Sequence, residues 1–310
     1  MEIGIVAPIN WTNPGIPIDG VDYMKQIKNI ASFNDDLNFF ILNFESIKED
    51  GDVIFYDINK NEIGNGKIED FCLIHFLDFE PSNNISESLV QKWHRINSKL
   101  KQFEEKKILT INSVKLINYC FEKKYLTEIK DDEVNFIQTR ILKSGTNFEK
   151  IKQEYRNGSF IIKPLNGESG NYVFEIESIS IENYLKMCDQ SENLIIQPFR
   201  KEVQNGEYSM LFFREKYCHA IVRTPVNIKK LLPPKFNITK YIPSTKEIEV
   251  GNKIFSLFPE KLDIFRVDFI KAKKEILIME VESVDPFHYV IENFREYSEK
   301  IGAFYKMILN

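Results

Sequence analysis

The 310-residue sequence predicts a mixed α/β and α+β chain of two or three subdomains, on three observations. It is longer than one ordinary core usually grows. Its first 110 or so residues alternate strand-like and helix-like segments, the pattern of a small open α/β domain. Its last third holds a hairpin of two β-branched and aromatic runs, Phe265–Ile270 and Ile276–Ser283, around the charged turn Lys271–Glu275.

The elements follow in order. Residues 3–7 read as a buried strand, and Asn10 to Gly20 as a Pro/Gly-rich loop. Val21 to Phe33 has helical spacing through Met24, Ile27 and Ile30. Phe39–Leu42, Val53–Tyr56 and Phe71–Phe76 are strand-like, Ser86 to Phe103 reads as a helix, and Ile108–Ile111 as a short buried strand. Beyond residue 113 the pattern changes. Val114 to Leu126 is helical and ends in Lys123-Lys124. Strand-like Phe160–Pro164 leads into the loop Asn166–Asn171 and the strand Tyr172–Phe174. Leu194–Phe199, Tyr208–Phe213 and Tyr217–Val222 are further strands. No internal repeat is present, and no GxGxxG follows the first strand, which removes support for a nicotinamide-binding fold.

The 43% hydrophobic and 28% charged content is that of a globular protein. A formal charge of −5 argues against a general nucleic-acid binder, which needs a basic surface. Cys72, Cys120, Cys188 and Cys218 form no CxxC pair and read as thiols of a reducing compartment. The opening Met1–Pro8 lacks the features of a signal peptide, and no apolar run approaches the roughly 18 residues of a membrane span. A cytoplasmic protein with neither membrane nor nucleic-acid partners is expected.

The hairpin carries the first chemical signal. Closed symmetrically about Lys274, it sets Asp268 opposite Glu280 and Arg266 opposite Glu282. Opposed residues of an antiparallel pair share a face, so three carboxylates and one guanidinium crowd one side. Phe265, Val267, Phe269, Leu277, Met279 and Val281 would form the core side. Opposed carboxylates repel unless a cation lies between them, and hard oxygen ligands suit Mg²⁺. A solvated polar face with a salt bridge has the same pattern, so upstream partners decide. Lys163 is one: it ends an apolar strand just before a loop with two glycines. A lysine supplies a point charge for phosphate there, and glycines let backbone N–H groups wrap the anion. Ordinary hairpins share that order too.

Taken together, the motifs resemble the ATP-grasp superfamily, and within it glutathione synthetase. The segments that carry the likeness are Lys163–Gly170, the upstream Glu122–Leu126, Ile196–Phe199, Gly206-Glu207, Arg223–Pro225 and the Asp268/Glu280/Glu282 hairpin, in family order. The runs Glu207–Ser209 and Tyr217–Ala220, with Glu280–Glu282, are similar to the cycloserine-forming cyclo-ligase branch. The resemblance covers roughly residues 105–290 and implies an ATP-grasp fold behind an N-terminal α/β domain at 1–110. The small lid subdomain would span 111–197 and the Mg²⁺/ATP-bearing subdomain 198–310. By the same resemblance, Lys123 and Lys163 contact ATP phosphates, and Gly167, Glu168, Ser169 and Gly170 form the loop that closes over them. Gln197, Pro198 and Phe199 hold adenine, and Glu207 the ribose. Arg223 meets the terminal phosphate or an acyl phosphate, with Arg266 beside the metal site. Asp268, Glu280 and Glu282 hold one or two Mg²⁺ ions.

Two departures stand out. Glu282 replaces an asparagine of glutathione synthetase, which keeps an oxygen ligand and adds charge. The family's glycine-rich segment after the arginine–proline motif is replaced by Val226–Phe236, so the acceptor is not inherited. Lys229 and Lys230 read as exposed lysines or as replacements for a phosphate-contacting arginine. The resemblance implies an ADP-forming carboxylate–amine or carboxylate–nucleophile ligase, acting on an amino acid or peptide that carries a carboxylate. A homodimer is compatible with it. A kinase on the same scaffold and a non-catalytic nucleotide-binding regulator are the alternatives.

Other residues point elsewhere only weakly. Cys218-His219 are strand neighbours that should face opposite ways, which disfavours a nucleophile pair. His75, His94 and His288 share no metal spacing. Trp11, Pro14 and Pro17 read as a packed turn, and Lys106-Lys107 and Lys271–Lys274 as solvated turns.

Overall fold

In the computed structural model the described residues are 1–17, 21–79, 89–143, 146–156, 158–165, 173–176, 183, 193–225, 236–273, 275–290 and 294–310. The loop at 166–172, with Gly167, Glu168, Ser169 and Gly170, lies outside them, as do Ser86–Ser88, Lys229 and Lys230.

Three sheets form among the described residues. The first runs β4-β3-β2-β1-β5-β6, from β1 (Glu2–Val6), β2 (Asn38–Leu42), β3 (Asp52–Asp57), β4 (Glu62–Lys67), β5 (Leu73–Phe76) and β6 (Thr110–Ile111). Strands β1, β2, β5 and β6 are parallel, and β3 and β4 add an antiparallel hairpin at one edge. A parallel core strand is covered on both faces, so it reads as a continuous apolar run, as β1 does. Helix α1 (Tyr23–Ser32) packs on one face, and α2 (Leu89–Glu105) with α3 (Val114–Phe121) covers the other. Asp22 caps α1 by accepting from the Lys25 N–H.

The second sheet is antiparallel, β10-β9-β11-β8, from β8 (Arg140–Leu142), β9 (Phe160–Pro164), β10 (Phe174–Glu175) and β11 (Leu194–Pro198). Helix α5 (Phe148–Tyr155) covers one face through Phe148 and Ile151 against Ile162 and Ile196. Alternation then sends Lys163, Ile195 and Gln197 to the other face.

The third sheet runs β14-β13-β12-β15-β16-β7. Its strands are β7 (Asn135–Phe136), β12 (Glu207–Phe213), β13 (Lys216–Pro225), β14 (Phe236–Tyr241), β15 (Ile264–Ala272) and β16 (Glu275–Glu282). Its core face is covered by α3, by the short α4 (Tyr125–Glu128) and by α6 (Thr245–Leu257). The Phe212 ring presses on α6 at Gly251, where any Cβ would overlap it. Helix α3 thus lies between two sheets, with Val114 and Ile117 in the core of the first and Leu116 and Cys120 in that of the third, and the second sheet starts at Arg140.

The last helix, α7 (Phe294–Leu309), turns back to the N-terminal domain. Its Tyr297, Ile301, Phe304 and Tyr305 share one core with Ile3, Ile5 and Phe39 of the first sheet and with Phe213 and Ile264 of the third. Asn112 fastens the same junction. It is 1% exposed at φ +50°, donates from Nδ2 to the Ile264 and Ser283 carbonyls, each at 2.6 Å, and accepts from the Asp263 and Ile264 N–H groups.

Candidate functional site

The site lies on the open face of the third sheet, and the β15–β16 register builds it. Asp268 pairs with Glu280 and Arg266 with Glu282, as the sequence predicts. The route differs. Strand pairing closes at Ala272/Glu275, a two-residue tip, and a β-bulge then shifts the register by one residue between Asp268 and Phe269. The bulge corrects the expected core face. Phe269 opposes Ile278, which is fully buried with Val267 and Val281, while Leu277 and Met279 turn to the other side. There Ile270, Leu277 and Ile137 form a small buried apolar cluster, with the partly buried Met279, Val203 and Ala272 packed against it.

The pairing extends the row. Asp268 opposes Ser209, and Glu207 opposes Arg223, so Ser209, Glu207 and Arg223 share the face of Asp268. Arg266 grips Asp268 with two parallel bonds of 2.8 Å, and Ser209 donates to the same carboxylate at 2.7 Å. Burial opposes the charge of Asp268, but Arg266 and Arg223 win and hold it down to about 2. Arg266, buried too, is raised by the same carboxylate. Arg223 bonds to Glu207, lies 3.4 Å from Asp268 and donates to the Tyr289 hydroxyl at 2.8 Å.

Lys123 arrives from the helical side. The expected single helix over 114–126 breaks at this residue, which sits at φ +46° and only 8% exposed. A left-handed lysine is strained and uncommon, and such strain gathers at functional sites. Its ammonium lies 2.6 Å from Glu280. Burial raises Glu280, yet Lys123 and then Lys163 keep it below the usual carboxylate range. Lys163 itself is pushed down to about 8 by burial, against the pull of Glu280. Glu282 goes the other way: burial and neighbouring Glu280 raise it to about 7.

Four carboxylates, Glu207, Asp268, Glu280 and Glu282, meet four cations, Lys123, Lys163, Arg223 and Arg266, at this face, and the carboxylates are hard oxygen donors. The donor set therefore fits a divalent cation such as Mg²⁺. Among the described residues no three His, Cys, Asp or Glu side chains converge on one ion-sized point, because Asp268 turns to Arg266 and Glu280 to Lys123.

The remaining candidates fall at the rim. Gln197 is buried and donates to Thr139 at 2.9 Å. Pro198 ends β11, and the Phe199 N–H is committed to the Ser159 carbonyl. Three features escaped sequence reasoning: Tyr289, Ser209 and the apolar cluster. Ser209 could have been found from strand alternation against Asp268. Tyr289 gives no signal, since it stands in a non-helical, non-strand segment at φ +48°.

Two further expectations need correction. Cys218 and His219 do touch, Sγ to Nδ1 at 3.4 Å, because a bulge in β13 removes the alternation that would separate them. Burial raises the thiol to about 12 and lowers the imidazole, so the pair is neutral. Lys271 is no solvated turn: it is the penultimate residue of β15, lies 4.5 Å from the Tyr208 and Tyr241 ring centres and pairs with Glu247 at 2.6 Å.

No protein-family model matches this chain, and no curated protein matches it in sequence. Solved structures do match. The chain is similar over 100% of both chains to the D-cycloserine synthetase DcsG, at 13% identity and TM-score 0.71. It is similar to the macrocyclase MdnC of Microcystis aeruginosa MRC, bound with precursor peptide MdnA, over 100% of both chains at 12% identity and TM-score 0.62. The ATP-grasp ligase PsnB, complexed with a minimal precursor, matches over 98% of each chain at 10% identity and TM-score 0.62. The chain has the ATP-grasp fold. No described helix is long and apolar enough to cross a membrane.

Proposed function

We propose that this chain is an ATP-dependent, ADP-forming ligase that joins a carboxylate to an amine or another nucleophile, on an amino acid or peptide. One observation carries the reading: in an ATP-grasp fold, Asp268 and Glu280 face each other across two strands, with Lys123 and Arg223 already on their oxygens. Asp268, Glu280 and Glu282 would hold Mg²⁺, which neutralises phosphate charge when bound. Lys123 and Lys163 would meet the ATP phosphates, and the Gly167–Gly170 loop would close over them. Adenine would rest against Met279, which overlies the buried Ile270 and Leu277, beside Gln197, Pro198 and Phe199. Glu207 would take the ribose hydroxyls.

Phosphoryl transfer to a carboxylate asks for alignment and charge neutralisation more than acid–base groups. The substrate carboxylate oxygen bonds to the terminal phosphorus as the bond to ADP breaks. The nucleophile then attacks the acyl carbon, phosphate leaves, and the amine loses its proton. Arg223 would steady the phosphate through both steps, held by neighbours that keep its guanidinium on the sheet. Arg266 would fix Asp268. Water must be excluded meanwhile, which gives a closing loop its purpose. A lysine ammonium pushed down to about 8 remains mostly charged at pH 7, so Lys163 can still meet phosphate.

An ADP-release screen against amino acids and short peptides, read by mass spectrometry, tests the reading. Saturating MgATP should also raise the melting temperature, because binding only the native state stabilises it. No thermal shift and no ADP release with any carboxylate would sink the assignment. A stable phosphorylated product without ligation would instead identify a kinase.

A further inference from the structure

Among the described residues Arg223 has three hydrogen-bond or ion-pair partners in the site besides ring contacts to Tyr289 and Phe236, and two of the three have other work in the proposed reaction. Glu207 would go to the ribose and Asp268 to the metal. The third is the Tyr289 hydroxyl, which accepts from Nη1 at 2.8 Å. The Tyr289 ring also lies 5.3 Å from the Arg223 guanidinium and 5.2 Å from that of Arg266. Both arginines therefore rest against one aromatic ring, an arrangement a planar guanidinium favours.

The ring is held in place from behind. Tyr289 has φ +48°, a costly conformation for an aromatic residue, so its surroundings must enforce it. The two residues before it supply the anchors. The Phe287 carbonyl accepts from Arg266 Nη1 at 3.1 Å, and the Phe287 ring packs edge-on against Tyr289 and against Tyr23 of α1. The His288 carbonyl bonds His219 Nε2 at 2.6 Å. Residues 287–289 thus form a bar across the sheet face, fixed to the N-terminal domain at one end and to Arg223 at the other.

We propose that Tyr289 is a positioning residue that keeps the Arg223 guanidinium over the site after nucleotide and metal have taken Glu207 and Asp268. The role rests on the ligase reading. Without the hydroxyl, an arginine released by both acids would be held by ring contact alone.

The test uses full-length Tyr289→Phe, with Tyr289→Ala beside it. MgADP affinity, by direct titration, should stay within about twofold of wild type. On a substrate found by the screen, kcat should fall about 10- to 100-fold in Tyr289→Phe, the rate equivalent of one hydrogen bond to a charged group. Tyr289→Ala should fall further; if it does not fold, the phenylalanine variant carries the test alone. An unchanged kcat, or a loss confined to MgADP affinity, overturns the proposal. A wild-type protein that neither binds MgADP nor turns over sinks the ligase reading instead. Tyr289 is then decided by ¹⁵N spectra of the arginine side chains in a Glu207→Gln background, which weakens the acidic grip. Faster Arg223 guanidinium rotation on adding Tyr289→Phe supports the positioning role, and an unchanged rate overturns it.

Discussion

Replacing Asn112 by alanine should cost more stability than any other single polar change at the domain junction. The side chain makes four hydrogen bonds, two given and two received, all to backbone groups of residues 263, 264 and 283. At about 1 kcal/mol net for each, their loss costs roughly 4 kcal/mol. The backbone at φ +50° adds to this, since alanine tolerates the left-handed region about 1–2 kcal/mol less well than a residue suited to it. A water entering the polar space would return part of the first figure. The expected loss is about 4–6 kcal/mol, a large fraction of the 5–15 kcal/mol that domains usually possess. Asn112→Gly removes the same bonds without the backbone strain, so it should be about 1 kcal/mol less harmful than alanine. Urea unfolding is the assay, followed by Trp11 and Trp93 fluorescence and by far-UV circular dichroism. The two probes should separate in the alanine variant, because both tryptophans belong to the N-terminal domain and the clamp joins it to the third sheet. An alanine variant within about 1 kcal/mol of wild type, with coincident probes, would show that the clamp contributes little.

Other outcomes follow from the same geometry. Glu280→Gln should abolish MgATP-dependent turnover and lower the urea midpoint, since it removes the charge that faces the buried Lys123 ammonium; near-normal activity would mark the acidic face as structural. Gly251→Ala should destabilise by about 1–3 kcal/mol, because the new methyl meets the buried Phe212 ring, and an unchanged midpoint would show that the ring gives way. Acid should weaken the fold. Burial lowers His75 to about 3 and His288 well below its usual value, whereas in the unfolded chain both titrate near 6.5. Between those values the unfolded chain binds protons that the native state refuses, so stability falls as pH drops, by about 1.4 kcal/mol per unit for each imidazole. Glu282, raised to about 7, acts in the opposite sense as pH falls from 7 towards 4.5. The difference in slope between wild type and His75→Phe over pH 6.5–5 isolates one histidine, and equal slopes would contradict its neutral burial.

Much of the site was legible because strand pairing has only two phases. A hairpin drawn symmetrically about Lys274 and one with a two-residue tip plus one bulged residue agree on Asp268/Glu280 and Arg266/Glu282, and differ only between the bulge and the tip. That is where the reading failed, at Leu277 and Met279. Alternation has no means of announcing a bulge, and the same blindness separated Cys218 from His219 on paper. The break at Lys123 was hidden for another reason: Glu122-Lys123-Lys124 carries neither glycine nor proline, so tertiary contact with Glu280 and the third sheet, not local preference, sets the left-handed turn. Strand β4 was missed because Glu62–Lys67, with two glycines, has little strand propensity and owes its pairing to β3. The fold of the first domain was plain where strands are fully buried, as at Ile3–Val6 and, but for His75, Leu73–Phe76, since burial on both faces leaves a nearly continuous apolar run.

Helix α7 has a consequence for how the protein is made. The apolar face of the N-terminal domain that holds Ile3, Ile5 and Phe39 is closed by Tyr297, Ile301, Phe304 and Tyr305, supplied from the far end of the chain. A ribosome adding about 5–20 residues per second needs roughly 10–40 seconds to travel from the end of that domain to its missing helix. Throughout that interval the first-made domain stands with one side uncovered, while the other two sheets emerge beside it. Its completion therefore waits for α7, and the domain synthesised first is among the last to be finished.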